Sequence, residues 1–224
     1  MPSKNLRKIY QKNSYYHIYN RGVEKRNIFE DKQDYSVFLS YIKTYLTPKN
    51  EDDLKAIVTD NNINCKEKDR ARKLLRLNNF NDQIQLICYC LMPNHFHFLI
   101  KQNSENSIDK LMNSLGTRYT MFFNKKYNRV GPLYQSTYKA VLVESEQQLL
   151  WITHYIHRNP LENKTIPNNQ PSSLLEYLGL RKTDWIRPEE ILDYFSKSNP
   201  SLSYQTFIAN SEETSVINSI ILDI

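Results

Sequence analysis

Two apolar runs separated by one short turn are the feature that most restricts how this chain can fold. The runs cover residues 84–90 and 95–101, and the segment between them contains Pro93 and Asn94. Proline and asparagine favour turns, and apolar runs of strand length on both sides of a turn indicate two paired strands. The sequence therefore predicts a β-hairpin here.

Further strands and helices are predicted before and after this hairpin. Strands are expected over residues 15–19 and 138–143, and amphipathic helices after Asp31, over residues 108–127 and over residues 145–159, where Pro160 should stop the helix. The resulting order is strand, helix, two strands, helix, strand and helix. That order predicts an α+β fold, a ferredoxin-like antiparallel sheet with helices on one face.

The length of 224 residues suits one domain with an appendage. We expect the domain to span residues 1–180. Residues 49–83, rich in mixed charge, should form a surface insertion with one short helix around residues 68–77. Residues 181–224 should form a C-terminal tail that is partly helical, with one helix over residues 188–195.

Composition limits the partners and the compartment. Thirty Lys and Arg against 24 Asp and Glu give a formal charge of +6, which is compatible with a polyanionic partner and equally with a mildly basic, solvated surface. The three cysteines form no C-x-x-C pair, which favours a reducing compartment. No signal peptide and no apolar run of membrane length is visible, so a cytoplasmic protein without a membrane partner is expected.

His95 and His97 stand one residue apart at the start of the second predicted strand. Alternate residues of a strand project from the same face, so the two imidazoles can converge on one cation. A single histidine in a strand is more often an ordinary core or surface residue, but a pair at this spacing favours metal binding. Imidazole suits Zn and Mn better than Mg, and the pair alone does not identify the ion.

The preceding strand offers a weaker alternative for the same histidines. Cys88 and Cys90 could complete a closed tetrahedral zinc site, which would make the chain a zinc-stapled structural or RNA-interaction module. One residue separates these cysteines instead of the usual two to four, and buried cysteines are common in strands. Core packing is therefore the simpler interpretation of the two thiols.

Tyr155 is distinguished from the other tyrosines by its neighbours on the helix predicted over residues 145–159. It precedes Asn159 by four residues, so both side chains share one helical face. A phenol with a pKa of about 10 is protonated at neutral pH, so its attack on phosphorus needs a base or a polarised target. A metal at the histidine pair could polarise the phosphate, and Asn159 could add an oxygen ligand.

A basic stretch without any acidic residue runs from residue 110 to residue 139 and favours nucleic-acid binding. Tyr134 in this stretch is a candidate for stacking on a base, an interaction worth about 1–3 kcal/mol. The basic residues of the stretch are Lys110, Arg118, Lys125, Lys126, Arg129 and Lys139.

Four motifs taken together resemble one protein family. They are YNRG at 19–22, LMPNHFH at 91–97, RVGPLYQ at 129–135 and YIHRNP at 155–160. In order and spacing they are similar to the motifs of the REP-associated tyrosine transposases and their insertion-sequence relatives in the HUH single-tyrosine superfamily. The resemblance extends over about residues 13–180.

The resemblance implies a site and a reaction. The resemblance implies that His95 and His97 hold a divalent ion, Mg or Mn, against the scissile phosphate of single-stranded DNA. Asn159 matches the position of a third metal ligand in the family. Tyr155 would be the nucleophile, forming a 5′-phosphotyrosine link and freeing a 3′-hydroxyl. Arg21 lies in the first motif and is expected at the DNA.

Gln135, in the third motif, completes the expected DNA-binding residues.

The implied activity is that of a metal-dependent endonuclease and strand-transferase acting on single-stranded DNA at hairpin-forming repeats, as a monomer or homodimer. A domesticated single-stranded nucleic-acid-binding protein that no longer cleaves is the alternative, and the intact histidines and Tyr155 speak against it.

Overall fold

The computed structural model describes residue 8, residues 10–162 and residues 171–210, with only the backbone given for residues 161 and 162. The predicted tail is therefore described only as far as residue 210. Strands β1 to β4 span Ser14–Arg21, Ile84–Met92, His95–Gln102 and Lys139–Leu142. Helices α1 to α5 span Lys32–Leu46, Glu51–Thr59, Cys65–Arg76, Ser107–Lys126 and Glu146–Glu162. Helices α6 to α8 span Leu174–Tyr177, Glu189–Leu192 and Pro200–Ala209.

The four strands form one antiparallel sheet in the order β2-β3-β1-β4. The predicted hairpin is the β2-β3 pair, and β1 lies between β3 and β4. A strand order in which β1 separates β3 from β4 is that of the ferredoxin-like βαββαβ arrangement. The predicted fold class is confirmed.

The sheet carries a hydrophobic core on each face. Helices α1 and α4 pack on the first face, against alternate strand residues that include Ile18, Phe96 and Phe98. The two crossover helices thus share one face, as predicted. The additional helix α5 packs on the second face, with Ile152 in a cluster around Leu99. Because side chains alternate along a strand, the residues of β3 that alternate with Phe96 and Phe98, which include His95 and His97, face α5.

Helix α5 begins where the sequence predicts it and ends later. The Ser145 side chain accepts a hydrogen bond from the backbone N–H of Gln148 at 3.2 Å, as an N-cap should. The prediction that Pro160 stops the helix is wrong, because α5 continues to Glu162. Pro160 lies in the last turn, where its fixed φ suits a helix and only one backbone donor is missing.

Residues 49–83 form two helices where the sequence predicted one. Helix α3 matches the predicted helix but begins earlier, and α2 precedes it. Asn50 and Asn64 cap the two helices, each accepting backbone N–H bonds through its side chain. No residue of α2 is buried, which is consistent with the expected surface position.

The described residues beyond 170 belong to the second core. Cys90 of β2 bridges to Ser172, and Tyr204 of α8 is fully buried in the cluster that contains α5. The helix predicted over residues 188–195 is the single turn α7, and α8 was not predicted. The division at residue 180 stays a prediction. No helix in the described ranges is long and apolar enough to cross a bilayer.

Candidate active site

His95 and His97 project from the second face of the sheet with their rings close together. The ring centroids are 5.0 Å apart and the ring planes are nearly perpendicular. His95 Nδ1 is hydrogen-bonded to the side-chain oxygen of Asn94 at 2.5 Å, and His97 Nδ1 to His17 Nε2 at 2.9 Å. In both ligand candidates Nδ1 is therefore engaged, and Nε2 is the nitrogen left to face a cation.

The state of these imidazoles suits a divalent metal. His97 Nε2 is buried and has no hydrogen-bond partner among the described residues. Burial, with a smaller contribution from the charge of Arg21, lowers the pKa of His95 to about 4. Burial also holds the pKa of His97 well below its ordinary value. Both rings are neutral at pH 7, which is the form that binds metal. The residues present fit the ion that the sequence motifs imply.

Tyr155 lies beside the histidine pair in the same chain. Its ring centroid is 5.2 Å from that of His97 and 6.1 Å from that of His17, in edge-to-face arrangements. The burial of Ile152 and Ile156 in the second core anchors α5 on the sheet and thereby places the tyrosine. The predicted nucleophile and the predicted metal ligands are thus brought together within one chain.

Asn159 follows Tyr155 by one turn of α5 and is partly exposed. Asn159 and Tyr155 share one face of α5, which is the geometry expected of a third metal ligand. The ligand role of Asn159 stays a prediction. In the described part of the chain no group of three or more His, Cys, Asp and Glu side chains could hold a metal. An ion at the histidine pair would therefore need oxygen ligands from an amide, water or substrate.

A small basic cavity opens beside His95. It is lined by Tyr19, Asn20, Arg21, His95, Gln135, Ser136 and Lys139. Arg21 pairs with His95 across β1 and β3, and Lys139 pairs with Tyr19 across β1 and β4. The buried Nε of Arg21 finds no hydrogen-bond partner within the described ranges. A phosphate oxygen is the natural acceptor for such a donor.

Backbone hydrogen bonds join two of the sequence motifs at this cavity. The backbone N–H of Gln135 donates to the Arg21 carbonyl at 3.0 Å, and that of Val23 donates to the Leu133 carbonyl at 2.9 Å. Gly22 and Tyr134 form an isolated antiparallel bridge. The pairing explains why Gln135, distant from Arg21 in sequence, lines the same cavity.

The other predicted DNA-binding residues on α4 lie across the sheet from the histidines, because α4 packs on the first face. Lys110 and Lys125 are exposed there. Arg118 lies over the ring of Tyr41 at 3.7 Å. Lys126 makes ion pairs at 2.7 Å with carboxylates at the start of α1. A DNA contact by any of these residues stays a prediction.

Arg129 and Tyr134 take part in the loop that leads from α4 to β4. Arg129 donates to the side-chain oxygen of Asn124 at 2.8 Å. The Tyr134 ring lies edge-to-face on Phe96 at 6.1 Å, close to Gly116 of α4. These contacts order the loop; base stacking by Tyr134 stays a prediction.

Among the described residues, Cys88 and Cys90 do not form a metal-binding group with the two histidines. Cys90 is opposite His97, but Cys88 is opposite Leu99. Burial raises the pKa of both thiols, whereas a zinc ligand must lose its proton. Both cysteines are enclosed in the second core.

Two residues of the site were missed by the sequence analysis. His17 and Tyr19 project beside His97 from β1, with ring centroids 5.1 and 5.9 Å from its ring. The alternation of His17, Tyr19 and Arg21 along a predicted strand was the available signal. It could not be used without knowing which strand pairs with β1.

Comparisons with known proteins give a family match. No curated protein matches the chain. One similar solved structure is the REP-associated tyrosine transposase bound to a REP hairpin, with 10% identity, a TM-score of 0.49, and coverage of 82% of this chain and 91% of that one. Another is a candidate transposase from Deinococcus radiodurans R1, with 19% identity, a TM-score of 0.28, and coverage of 74% and 100%. Residues 56–159, which hold the histidine pair and Tyr155, match the sequence model of IS200-like transposases. The segment that carries the histidine pair and Tyr155 is therefore similar to the IS200-like transposases.

Proposed function

We propose that this protein is a metal-dependent endonuclease and strand-transferase that cuts single-stranded DNA through a covalent bond to Tyr155. The observation that carries the proposal is the contact of the Tyr155 ring with His97, 5.2 Å between centroids, within one chain. A nucleophile and a neutral imidazole pair on one sheet face are the parts that such a transesterification needs.

In the proposed step the Tyr155 phenol oxygen attacks phosphorus. A bond from this oxygen to phosphorus forms and the bond from phosphorus to the 3′-oxygen breaks. The phenol loses its proton, and the departing 3′-oxygen takes up one proton, so no net proton is gained or lost. The products are a 5′-phosphotyrosine and a free 3′-hydroxyl. When bound, a divalent ion would polarise the scissile phosphate and stabilise charge on the departing oxygen. One phosphodiester is exchanged for another, so the bond energy is kept for rejoining.

The basic cavity supplies the positioning. Arg21 and Lys139 would hold non-bridging oxygens of a phosphate beside His95, and Arg21 Nε, which has no partner among the described residues, is the donor best placed for this. Charge-assisted bonds to phosphate also fix the position of the strand. Gln135 lines the same cavity and would contact the nucleotide that carries the phosphate.

The proposed cofactor is Mg or Mn, held by His95, His97 and Asn159. The proposed substrate is single-stranded DNA at hairpin-forming repeats, which rests on the four motifs of the sequence. The protein would act as a monomer or homodimer, and the proposed cytoplasmic location rests only on the cysteine pattern of the sequence. These four statements stay predictions.

Adduct formation tests the proposal. The protein would be incubated with Mn and a 3′-labelled pool of single-stranded DNA that carries a hairpin between randomised flanks. Wild type should give a labelled protein band that resists denaturation, since the label stays on the fragment bound through its 5′-phosphate. Tyr155→Phe should abolish the band, and His97→Ala should reduce it by at least about tenfold.

Tyr19→Phe is the matched control, because Tyr19 flanks the same imidazole from β1. It should still form the adduct. If the adduct survived Tyr155→Phe and was lost in Tyr19→Phe, the nucleophile would be Tyr19 on β1. Binding of the pool without any adduct in wild type would support the domesticated binding protein instead.

A further inference from the structure

His17 is a buried histidine that lies outside the four motifs of the sequence. It stands in the middle of β1 with no exposed surface. Its ring is nearly parallel to that of His97, with planes 16° apart and centroids 5.1 Å apart, and its Nε2 is 2.9 Å from His97 Nδ1. In register, His17 is opposite Leu99, so it reaches His97 diagonally across the β1-β3 pair.

We infer that His17 is a positioning residue that holds His97 in the tautomer and ring orientation presenting Nε2 to the divalent ion. The inference rests on the proposed metal site. A metal on Nε2 requires the lone pair there, so the His97 hydrogen resides on Nδ1. His97 Nδ1–H then donates to His17 Nε2, and the contact fixes the ring about both of its side-chain torsions.

The hydrogen bonds of His17 itself indicate a role beyond packing. With Nε2 as acceptor, its own hydrogen lies on Nδ1, and this buried atom has no partner in the part of the chain that the structure covers. An unsatisfied buried donor destabilises the folded chain, whereas an apolar residue at this position would leave no donor unsatisfied. The cross-strand neighbours of His17, Leu99 and Val141, are apolar and would pack against an apolar side chain at this position.

The second ligand candidate is held in the same way. His95 Nδ1 bonds to the side-chain oxygen of Asn94, so each ring has an acceptor on the side away from its Nε2. Asn94 adjoins its histidine in the sequence, whereas His17 and His97 are separated by 80 positions. The geometry thus assigns one orienting residue to each ligand.

Affinity for Mn²⁺ alone, measured by titration calorimetry on the full chain without DNA, tests the inference. His17→Leu should weaken binding by about 10–100-fold, the usual effect of losing an orienting partner. His17→Gln should restore most of the affinity, because its amide oxygen reaches the place of Nε2. Leu99→Val, the cross-strand neighbour in the same sheet layer, is the control and should leave affinity within about twofold.

Thermal unfolding of the metal-free variants separates folding from binding. Should His17→Leu not fold, His17→Asn replaces it, because the shorter amide cannot reach His97 Nδ1. Wild-type affinity in a folded His17→Leu or His17→Asn protein, with binding lost in His97→Ala, would overturn the inference alone. Equal Mn²⁺ affinity in wild type and His97→Ala would overturn the proposed metal site and the inference with it.

Discussion

Gly22 shows how a single residue positions the site. Its backbone N–H donates to the Asn94 carbonyl at 2.8 Å, which ties the end of β1 to the turn that carries His95. A Cβ placed on Gly22 would lie 2.2 Å from the carbonyl oxygen of Arg26. No side chain fits there without a backbone shift, so the glycine of the first motif is required by close packing of the chain.

We predict that Gly22→Ala lowers the free energy of unfolding by about 1–3 kcal/mol, because the backbone must move to relieve the clash. Urea denaturation measures the change. Gly116→Ala is the control: its Cβ would meet nothing nearer than 4.0 Å, and alanine in a helix should add about 0.5–1 kcal/mol. Equal stability of Gly22→Ala and wild type would show that the loop around Arg26 yields freely.

At the scale of elements, an ion-pair network joins the first turn of α1 to the last turn of α4. The Asp34 carboxylate is buried and accepts from Lys126 at 2.7 Å and from the Tyr127 hydroxyl at 2.8 Å. Lys126 also pairs with Asp31, the N-cap of α1. The network holds both crossover helices on the first face, and it gives Lys126 a structural role that its place in a basic stretch did not indicate.

Lys126→Gln should therefore lower the free energy of unfolding by about 1–3 kcal/mol, since it leaves a buried carboxylate with fewer partners. It should leave the salt dependence of DNA binding unchanged. Lys125→Gln, the exposed neighbour, should change stability by less than about 0.5 kcal/mol. If Lys125 contacts a phosphate, its loss should reduce the salt slope by about 0.7 on single strands.

Chemical denaturation and fluorescence titration over a salt series measure the two quantities. If Lys126→Gln reduced the salt slope of DNA binding and left stability unchanged, Lys126 would be a DNA contact and the structural role would be wrong.

For the whole molecule, buried histidines link stability to pH. Burial lowers the pKa of His17 and of His157 to about 3, against an ordinary value of 6.5. As pH falls below 6.5 the unfolded chain takes up these protons and the folded chain does not. Stability is therefore lost as pH falls from about 6.5 towards 3, and it is fully present above that window.

We predict that each such histidine lowers the free energy of unfolding by up to about 1.4 kcal/mol per pH unit over this window. Urea denaturation at pH 7, 6 and 5 measures the dependence. His157→Gln should make the dependence shallower by one histidine, since the hydrogen bonds of His157 to Tyr204 and Ser173 do not require a titrating group. An identical pH dependence in the variant would contradict the burial argument.

Local patterns in the sequence were enough for most of the fold. Two apolar runs around a Pro-Asn turn marked β2 and β3, the helical spacing of apolar residues after Asp31 marked α1, and Ser145 with Gln148 marked the start of α5. These signals act over a few residues, through backbone donors and the period of side chains, so they can be read without knowledge of the partners. The same short range explains why the prediction at Pro160 was wrong. The local proline signal does not specify whether the residue lies in the interior of a helix or in its last turn.

Tertiary structure decided which residues meet. The sequence motifs implied that His95, His97 and Tyr155 form one site, but only the packing of α5 on the second face brings the phenol against the imidazole. The contact of His17 with His97 depends on the register of β1 against β3, which one residue of slip would reverse. Strand register and helix placement are set by the total apolar surface that distant segments bury against each other. No local sequence pattern specifies that total.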